Sequence, residues 1–247
     1  MDGRQIENIG SQMVSAIIVA AGKGVRMKSR RRKQYLDLSG RPVLSHSIMT
    51  FDACSLIDEI FIVVPEDEID YCQNNIVSLL DLKTRVNLIP GGVQRQDSVY
   101  NGLQAIDRKT TTVVIHDGVR PFIFPEKLTA CIFGAKDFGA CILAIPASDT
   151  LKCANKSGLI DTTLFRDNIW LAQTPQAFQY GLIVKAHEAA RRDGYTGTDD
   201  ASLVERIGKN VTIIPGSKFN IKITTHEDLD FARAIFDTDV VSKFFGE

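Results

Sequence analysis

The feature that most constrains this chain is an apolar run that ends abruptly in glycines and cations. Residues 16–21 read Ala-Ile-Ile-Val-Ala-Ala, and Gly22, Gly24, Arg26 and Lys33 follow them. A continuous apolar run of this kind predicts a strand buried on both faces in a parallel sheet. Glycines let the backbone turn sharply and present its N–H groups to an anion, which nearby cations can also reach. The segment therefore predicts a cradle for a nucleotide triphosphate.

The two commonest phosphate-binding loops do not fit this segment. The dinucleotide fingerprint requires a third glycine where this chain has Met27. The Walker loop requires Gly-Lys followed by Ser or Thr, whereas Gly24 is followed by Val25 and Arg26. Taken alone, the segment is also compatible with an ordinary strand-to-loop turn with solvated cations.

Apolar runs and helix-like spacings alternate from residue 44 to residue 145. Further strands are predicted at 59–64, 86–89, 112–115 and 140–145, with helices between them. This alternation predicts an α/β fold, a Rossmann-like, mostly parallel twisted sheet flanked by helices.

The alternation breaks at Pro146. Residues 147–173 contain short polar and β-branched pieces around Ser157-Gly158, which predict a protruding β-arm. After it we expect helices at 180–193 and 199–208, strands at 211–214 and 220–223, and a last helix capped by Thr225 and Asp228. We expect a single domain over residues 14–240 that includes this arm.

Composition excludes several classes of protein. A formal net charge of -1 argues against nucleic-acid binding. Five scattered cysteines without a Cys-x-x-Cys pair favour a reducing compartment over a disulfide framework, and the four histidines lack zinc-site spacing. Residues 1–12 lack the apolar core of a secretory signal, and no apolar run reaches the length of a membrane span. We therefore expect a cytoplasmic protein.

Polar and flexible residues follow several predicted strands at their carboxyl ends, where open parallel sheets bind ligands. Gly92, Arg95 and Ser98 follow the third strand, and Lys222 lies in a late one. Gly92 is compatible with close approach of a base or with an ordinary turn. Ser98 is compatible with a hydrogen bond to a base or with a helix start. Lys222 is compatible with a ligand contact or with an outward-facing lysine.

Asp117 ends the fourth predicted strand and precedes Gly118. A carboxylate there could hold Mg²⁺ or a ribose hydroxyl, but Asp before Gly is also a common turn signal. Thr198-Asp199-Asp200 favours a helix start with acids that complement the helix dipole.

The motifs taken together resemble a known family. Residues 20–27 with Lys33-Gln34 resemble the signature of nucleotidyltransferases that activate sugars and polyols. The later motifs share an order along the chain with one branch, the 2-C-methyl-D-erythritol 4-phosphate cytidylyltransferases of the non-mevalonate isoprenoid pathway. They are residues 90–98, 116–121, 149–152, Arg166, 173–176, 198–202 and 220–224. The resemblance runs from about residue 14 to about residue 236.

The resemblance implies a reaction in which CTP and methylerythritol 4-phosphate give the CDP-linked polyol and pyrophosphate, with Mg²⁺ as cofactor. It assigns Arg26 and Lys33 to stabilising the triphosphate. The expected nucleotide-binding residues are Ala20, Ala21, Gly22, Gly24, Gly92, Arg95, Ser98 and Asp117, the last also a metal ligand. The expected polyol-phosphate residues are Thr150, Arg166, Thr174, Thr198 and Lys222. It further implies a homodimer in which the arm carries Thr150 and Arg166 to the partner's site.

Three alternatives remain. A ribitol 5-phosphate cytidylyltransferase would share the loop and the Asn220-Ile221-Lys222 segment, and Gly118-Val119 stands where the methylerythritol branch commonly has two alanines. The 171–176 and 198–201 segments favour the methylerythritol branch. A non-catalytic CTP sensor would bind CTP without turnover, and a nicotinamide dehydrogenase is disfavoured by Met27.

Overall fold

A seven-stranded sheet forms the centre of the structure, a computed structural model that describes residues 13–22, 24, 27 and 31–238. The strands of this part of the chain are β1 (Met13–Val19), β2 (Asp37–Leu38), β3 (Arg41–Pro42), β4 (Glu59–Val64), β5 (Arg85–Pro90), β6 (Thr110–Asp117), β7 (Ala140–Pro146), β8 (Lys152–Ala154), β9 (Ile160–Thr163), β10 (Trp170–Gln179) and β11 (Thr212–Pro215). The α-helices are α1 (Val43–Asp52), α2 (Ile69–Asn75), α3 (Arg95–Ala105), α4 (Pro125–Phe138), α5 (Tyr180–Arg192), α6 (Asp200–Arg206) and α7 (His226–Phe236).

The strand order in the sheet is β11-β7-β10-β6-β1-β4-β5. All neighbours are parallel except β10, which runs antiparallel to both β6 and β7. Strand β1 lies between β6 and β4, and its consecutive residues Ile17 and Ile18 point to opposite faces of the sheet. Both have no exposed surface and belong to different core clusters, so both faces of the strand are covered. Each such side chain contributes about 1.5–3 kcal/mol to stability by leaving water. The predicted fold class is confirmed.

Three helices begin with a reciprocal side-chain cap. The pairs are Gln94 with Asp97 at α3, Asp199 with Ser202 at α6, and Thr225 with Asp228 at α7. The last of these confirms the box predicted from sequence. Such caps satisfy N–H groups that the helix itself leaves unpaired, and each contributes about 1 kcal/mol.

The strand predicted at 220–223 is wrong, because this segment is irregular. Its backbone hydrogen bonds do not form the ladder of a strand pair. The Ile221 N–H donates to the nearby Phe219 carbonyl at 2.7 Å, and the Ile223 N–H donates to the Val119 carbonyl at 2.9 Å. The segment instead crosses the carboxyl edge of the sheet, which brings Lys222 to the loop after β6.

The region that interrupts the α/β alternation contains the two-stranded ribbon of β8 and β9. Its turn is closed by the Gly158 N–H on the Asn155 carbonyl, with Gly158 at a φ of +79°. Every residue of both strands is exposed. Large apolar side chains in and beside the ribbon are also exposed, namely Leu159, Ile160, Leu164, Phe165, Trp170 and Leu171.

Candidate active site

A cavity of about 480 Å³ opens where β1, β5 and β6 end. It is lined by predicted residues from four separate segments: Ala20, Ala21, Gly22, Lys33, Gly92, Arg95, Ser98, Asp117 and Lys222. The parallel strands bring these segments to one edge, as the strand-end argument predicts.

The loop after β1 is held in place by a residue that sequence reasoning did not assign to the site. Buried Gln34 donates from Nε2 to the Ala20 carbonyl at 2.6 Å. Its neighbour Lys33 donates from Nζ to the Ile223 carbonyl at 3.2 Å and lines the cavity. Gly24 lies beside the Lys33 side chain and does not line the cavity. Arg26, the other predicted catalytic cation, lies outside the described residues.

The loop between β5 and α3 forms another wall of the cavity. The Gly92 N–H donates to Ser98 Oγ at 3.1 Å, and that hydroxyl donates to the Gln94 carbonyl at 3.0 Å. A Cβ on Gly92 would lie 2.3 Å from the Asp97 Cβ, so only glycine fits this close approach. Glycine therefore lets the loop pack tightly against the start of α3, while Gly92 itself stays exposed in the cavity wall.

Asp117 is the sole acid among the described residues that line the cavity. Its Oδ1 accepts from Arg95 Nε at 2.8 Å, and its Oδ2 from Lys222 Nζ at 2.6 Å. Burial opposes ionisation, but the positive charges of Arg95 and Lys222 outweigh it and hold the pKa of this carboxyl well below its usual range. Asp117 is therefore ionised at neutral pH.

A chain of buried hydrogen bonds fixes the backbone at Asp117. The Asp117 N–H donates to Thr174 Oγ1 at 3.0 Å, and that hydroxyl donates to His116 Nδ1 at 3.1 Å. His116 Nε2 donates to the Arg120 carbonyl at 3.1 Å. Thr174, predicted to contact the polyol, is thus buried and bonded to the strand end instead of lining the cavity.

Burial lowers the pKa of His116 to about 4. The unfolded chain has a histidine pKa of about 6.5, so between these values it binds a proton that the folded protein does not. Acidification through this window therefore favours unfolding. We expect the free energy of unfolding to fall by about 2 kcal/mol from about pH 7 to about pH 4.5, measured by urea denaturation.

The matched control is His116→Gln, which should flatten that dependence. Burial also lowers the pKa of His46, so this histidine contributes with the same sign in both proteins and cancels in the comparison. Equal pH dependence of stability in the two proteins would contradict the prediction.

The remaining predicted polyol residues do not line the cavity of this chain. Thr198 is exposed just before α6. Thr150 and Arg166 are exposed beside the β8–β9 ribbon, where Arg166 Nη1 donates to the Ser148 carbonyl.

Sequence reasoning also missed a buried acid next to the site. The predicted helix start is confirmed, with Asp199 as the cap of α6 and Asp200 in its first turn. Asp200 also has a further role, because its Oδ2 accepts from Arg95 Nη1 at 2.8 Å and its Oδ1 from His187 Nε2 at 3.3 Å. The sequence gives no local signal for contacts between residues so far apart in the chain.

The parallel sheet, the glycine-rich loop and the cationic cavity at its carboxyl edge define this chain as a nucleotidyltransferase. Residues 14–238 match the family model described as 2-C-methyl-D-erythritol 4-phosphate cytidylyltransferase. The chain belongs to that family.

Relatives and solved structures agree with this assignment. The chain is 46% identical to a 2-C-methyl-D-erythritol 4-phosphate cytidylyltransferase from Pelotomaculum thermopropionicum, over 90% of this chain and 93% of the relative. It is 48% identical to one from Syntrophus aciditrophicus, over 90% and 94%. A crystal structure of 4-diphosphocytidyl-2C-methyl-D-erythritol synthase from Anaerococcus prevotii superposes with a TM-score of 0.82 at 34% identity, covering 92% of this chain and 97% of the other.

Proposed function

We propose that this chain transfers the cytidylyl group of CTP to 2-C-methyl-D-erythritol 4-phosphate in the non-mevalonate isoprenoid pathway. The products are 4-diphosphocytidyl-2-C-methyl-D-erythritol and pyrophosphate. The observation that carries the proposal is the cavity lined by Lys33, Arg95 and Lys222, in which Arg95 and Lys222 bind Asp117, the single acid among the described lining residues. Membership of the family supplies the identity of the two substrates. The ribitol alternative is not favoured by these relatives.

The chemistry suits a site built from cations. A phosphate oxygen of the polyol attacks the α-phosphorus of CTP, and the bond to the pyrophosphate oxygen breaks. The attacking oxygen is already anionic at neutral pH, so the main obstacle is repulsion between two polyanions. Fixed cations and exact positioning lower that barrier.

We assign the residues to roles according to where they lie. Gly92 and Ser98 line the wall of the cavity that contacts the cytosine. Ala20, Ala21 and Gly22 line the wall that contacts the rest of the nucleotide. Lys33 lines the cavity and stabilises charge on the triphosphate. Arg26 shares this role on the family resemblance, since it lies outside the described residues. Lys222 holds the phosphate of the polyol.

A divalent cation, Mg²⁺, fits this arrangement. No cluster of three or more His, Cys, Asp or Glu side chains suited to a metal occurs in the described part of the chain. Mg²⁺ in nucleotide sites is commonly held by one or two carboxylates together with phosphate oxygens and water. Asp117 supplies one carboxylate, whose two oxygens have lone pairs beyond those used by Arg95 and Lys222. The bound ion would neutralise part of the triphosphate charge.

We also propose that the chain acts as a homodimer through its arm, with Thr150 and Arg166 serving the partner's site. The exposed apolar side chains of the arm support this, since such a surface favours contact with another protein. A cytoplasmic location is proposed on the five cysteines, none of which is in a disulfide. No helix in the described ranges is both long and apolar enough to span a membrane.

Phe165→Glu is expected to convert the dimer to a monomer, because this side chain is 80% exposed and a charge would have to be desolvated in the interface. Light scattering at micromolar concentration measures the mass. Phe231→Glu, an exposed position on α7, is the matched control and should leave the mass unchanged. An unaltered mass for Phe165→Glu would refute the arm as the interface.

The function is tested by pyrophosphate release with CTP and Mg²⁺, comparing methylerythritol 4-phosphate with ribitol 5-phosphate. Turnover of the first alone is expected. Turnover of ribitol 5-phosphate alone would show that the acceptor is ribitol 5-phosphate and would refute the proposed acceptor. CTP binding without turnover of either would indicate a sensor.

A further inference from the structure

Arg95 is shared between two carboxylates, of which one lines the cavity and the other does not. Its Nε donates to Asp117 and its Nη1 donates to Asp200, both at 2.8 Å. Asp200 is the first residue of α6, and its side chain is 1% exposed. His187, whose side chain has no exposed surface, donates to the other oxygen of Asp200. Among the described residues, Arg95 is therefore the link between Asp200 and the cavity.

The contact between Arg95 and Asp117 lacks the usual second bond. Arginine and carboxylate commonly pair through two parallel N–H···O bonds. Here Asp117 receives Nε alone, while Arg95 Nη2 is buried without a hydrogen-bond partner. Without Asp200, Arg95 would have only Asp117 beside it among the described residues. It could then rotate so that Nε and Nη2 each donate to one oxygen of Asp117, which would satisfy the unpaired Nη2. The bond from Nη1 to Asp200 opposes this rotation.

We propose that Asp200 is a positioning residue for the nucleotide site. By holding Nη1, it prevents Arg95 from forming a two-bond pair with Asp117, so that Asp117 keeps acceptor lone pairs for the nucleotide or its cation. The inference rests on the proposed function, since it takes the bound molecule to be CTP. His187 supports this role by fixing the second oxygen of Asp200.

The charge on Asp200 persists although the group is buried. Burial opposes its ionisation, but the Arg95 charge outweighs that effect, with help from His187, and lowers the pKa of the carboxyl. The hold on Arg95 is therefore a charge-assisted bond at neutral pH.

The test is CTP binding to Asp200→Asn by titration calorimetry with Mg²⁺ present. We expect binding to weaken about 10-fold, the size typical of one charge-assisted hydrogen bond. Charge alone predicts the opposite, because removing a carboxylate near a polyanion site should tighten binding. Unchanged or tighter binding would therefore overturn the inference. Asp193→Asn is the matched control, since it removes an acid paired with Arg192 and Arg206 outside the cavity, and it should bind CTP like the parent protein.

A double-mutant cycle separates positioning from a general structural effect. If Asp200 acts through Asp117, the Asp200→Asn change should alter CTP binding less than about 2-fold in an Asp117→Asn background. A similar 10-fold loss in both backgrounds would overturn the inference. The titration stoichiometry reports the folded fraction, so each Kd refers to folded protein.

A second pair of variants covers the case in which Asp200→Asn does not fold. His187→Leu removes the donor to Asp200 and should weaken CTP binding, whereas His187→Gln keeps an N–H donor and should bind more tightly than the Leu variant. Equal binding by the two would count against the inference. Failure of the unaltered protein to bind CTP would instead refute the proposed function.

Discussion

Replacing Lys33 with Met is expected to lower kcat/KM roughly 10³-fold, the largest loss that we expect from a single substitution in the described residues. The Lys33 ammonium lines the cavity and is oriented by the Ile223 carbonyl at 3.2 Å. A cation fixed in this way needs no reorganisation when negative charge builds on the departing pyrophosphate. Met keeps the unbranched apolar stem of the side chain and removes the ammonium group, with its charge and its hydrogen bond to Ile223.

The loss should appear mainly in kcat, because the leaving pyrophosphate carries more charge in the transition state than in bound CTP. Steady-state pyrophosphate release over a range of CTP concentrations separates kcat from KM. Lys209→Met, at an exposed position after α6, is the matched control and should leave both constants unchanged. If Lys33→Met kept kcat/KM within a factor of three, Lys33 would not be the triphosphate cation.

Local sequence was sufficient to predict the parts of the site that depend on one segment. The apolar run of β1 predicts a buried strand that ends just before Gly22, and this is confirmed because it depends on neighbouring residues alone. The Asp117 and Lys222 pair joins two distant segments. The sequence predicts both at the carboxyl edge of the sheet, and Lys222 Nζ lies 2.6 Å from Asp117 Oδ2, although the strand predicted around Lys222 does not form. For Asp117 the prediction rested on the general rule that parallel strands end at one edge.

The parts that failed depend on contacts between distant segments. The 220–223 segment has the composition of a strand, but within the described ranges it has no neighbouring strand to pair with along its length. Gln34 and Asp200 are ordinary polar residues in sequence and acquire their roles only when they meet Ala20 and Arg95. Periodicity carries no information about such pairings.

The Gly118-Val119 pair illustrates the same limit. A Cβ on Gly118 would lie 2.7 Å from Leu44 Cδ1 and 3.1 Å from Ile18 Cγ2, so alanine there would force these buried side chains to shift. Val119 is buried and packs with Leu38 and Ile223 while lining the cavity. The departure from two alanines is therefore accommodated by packing that the sequence alone does not reveal.

Asp117→Asn is expected to reduce both activity and stability, because the carboxylate is bonded to two cations at once. We expect kcat/KM to fall roughly 10²–10³-fold, since the amide neither holds Mg²⁺ nor keeps Arg95 and Lys222 in place. Removing one partner of a largely buried pair commonly costs about 3–5 kcal/mol, and the partial exposure of Lys222 reduces this to roughly 1–3 kcal/mol. Pyrophosphate release and urea denaturation at pH 7 measure the two effects.

The pH dependence of stability gives this prediction a second test. Since the folded pKa of Asp117 lies well below that of an unfolded aspartate, its contribution to stability is complete above about pH 4 and is lost as the pH falls further. The stability difference between the parent protein and Asp117→Asn should therefore be constant near neutrality and narrow in acid. Asp81→Asn, at an exposed loop position, is the matched control and should affect neither measurement. If Asp117→Asn lost stability but kept full activity, Asp117 would be a structural ion-pair partner only. If it lost activity but kept full stability, the charge of Asp117 would act on the bound ligands and not on the fold.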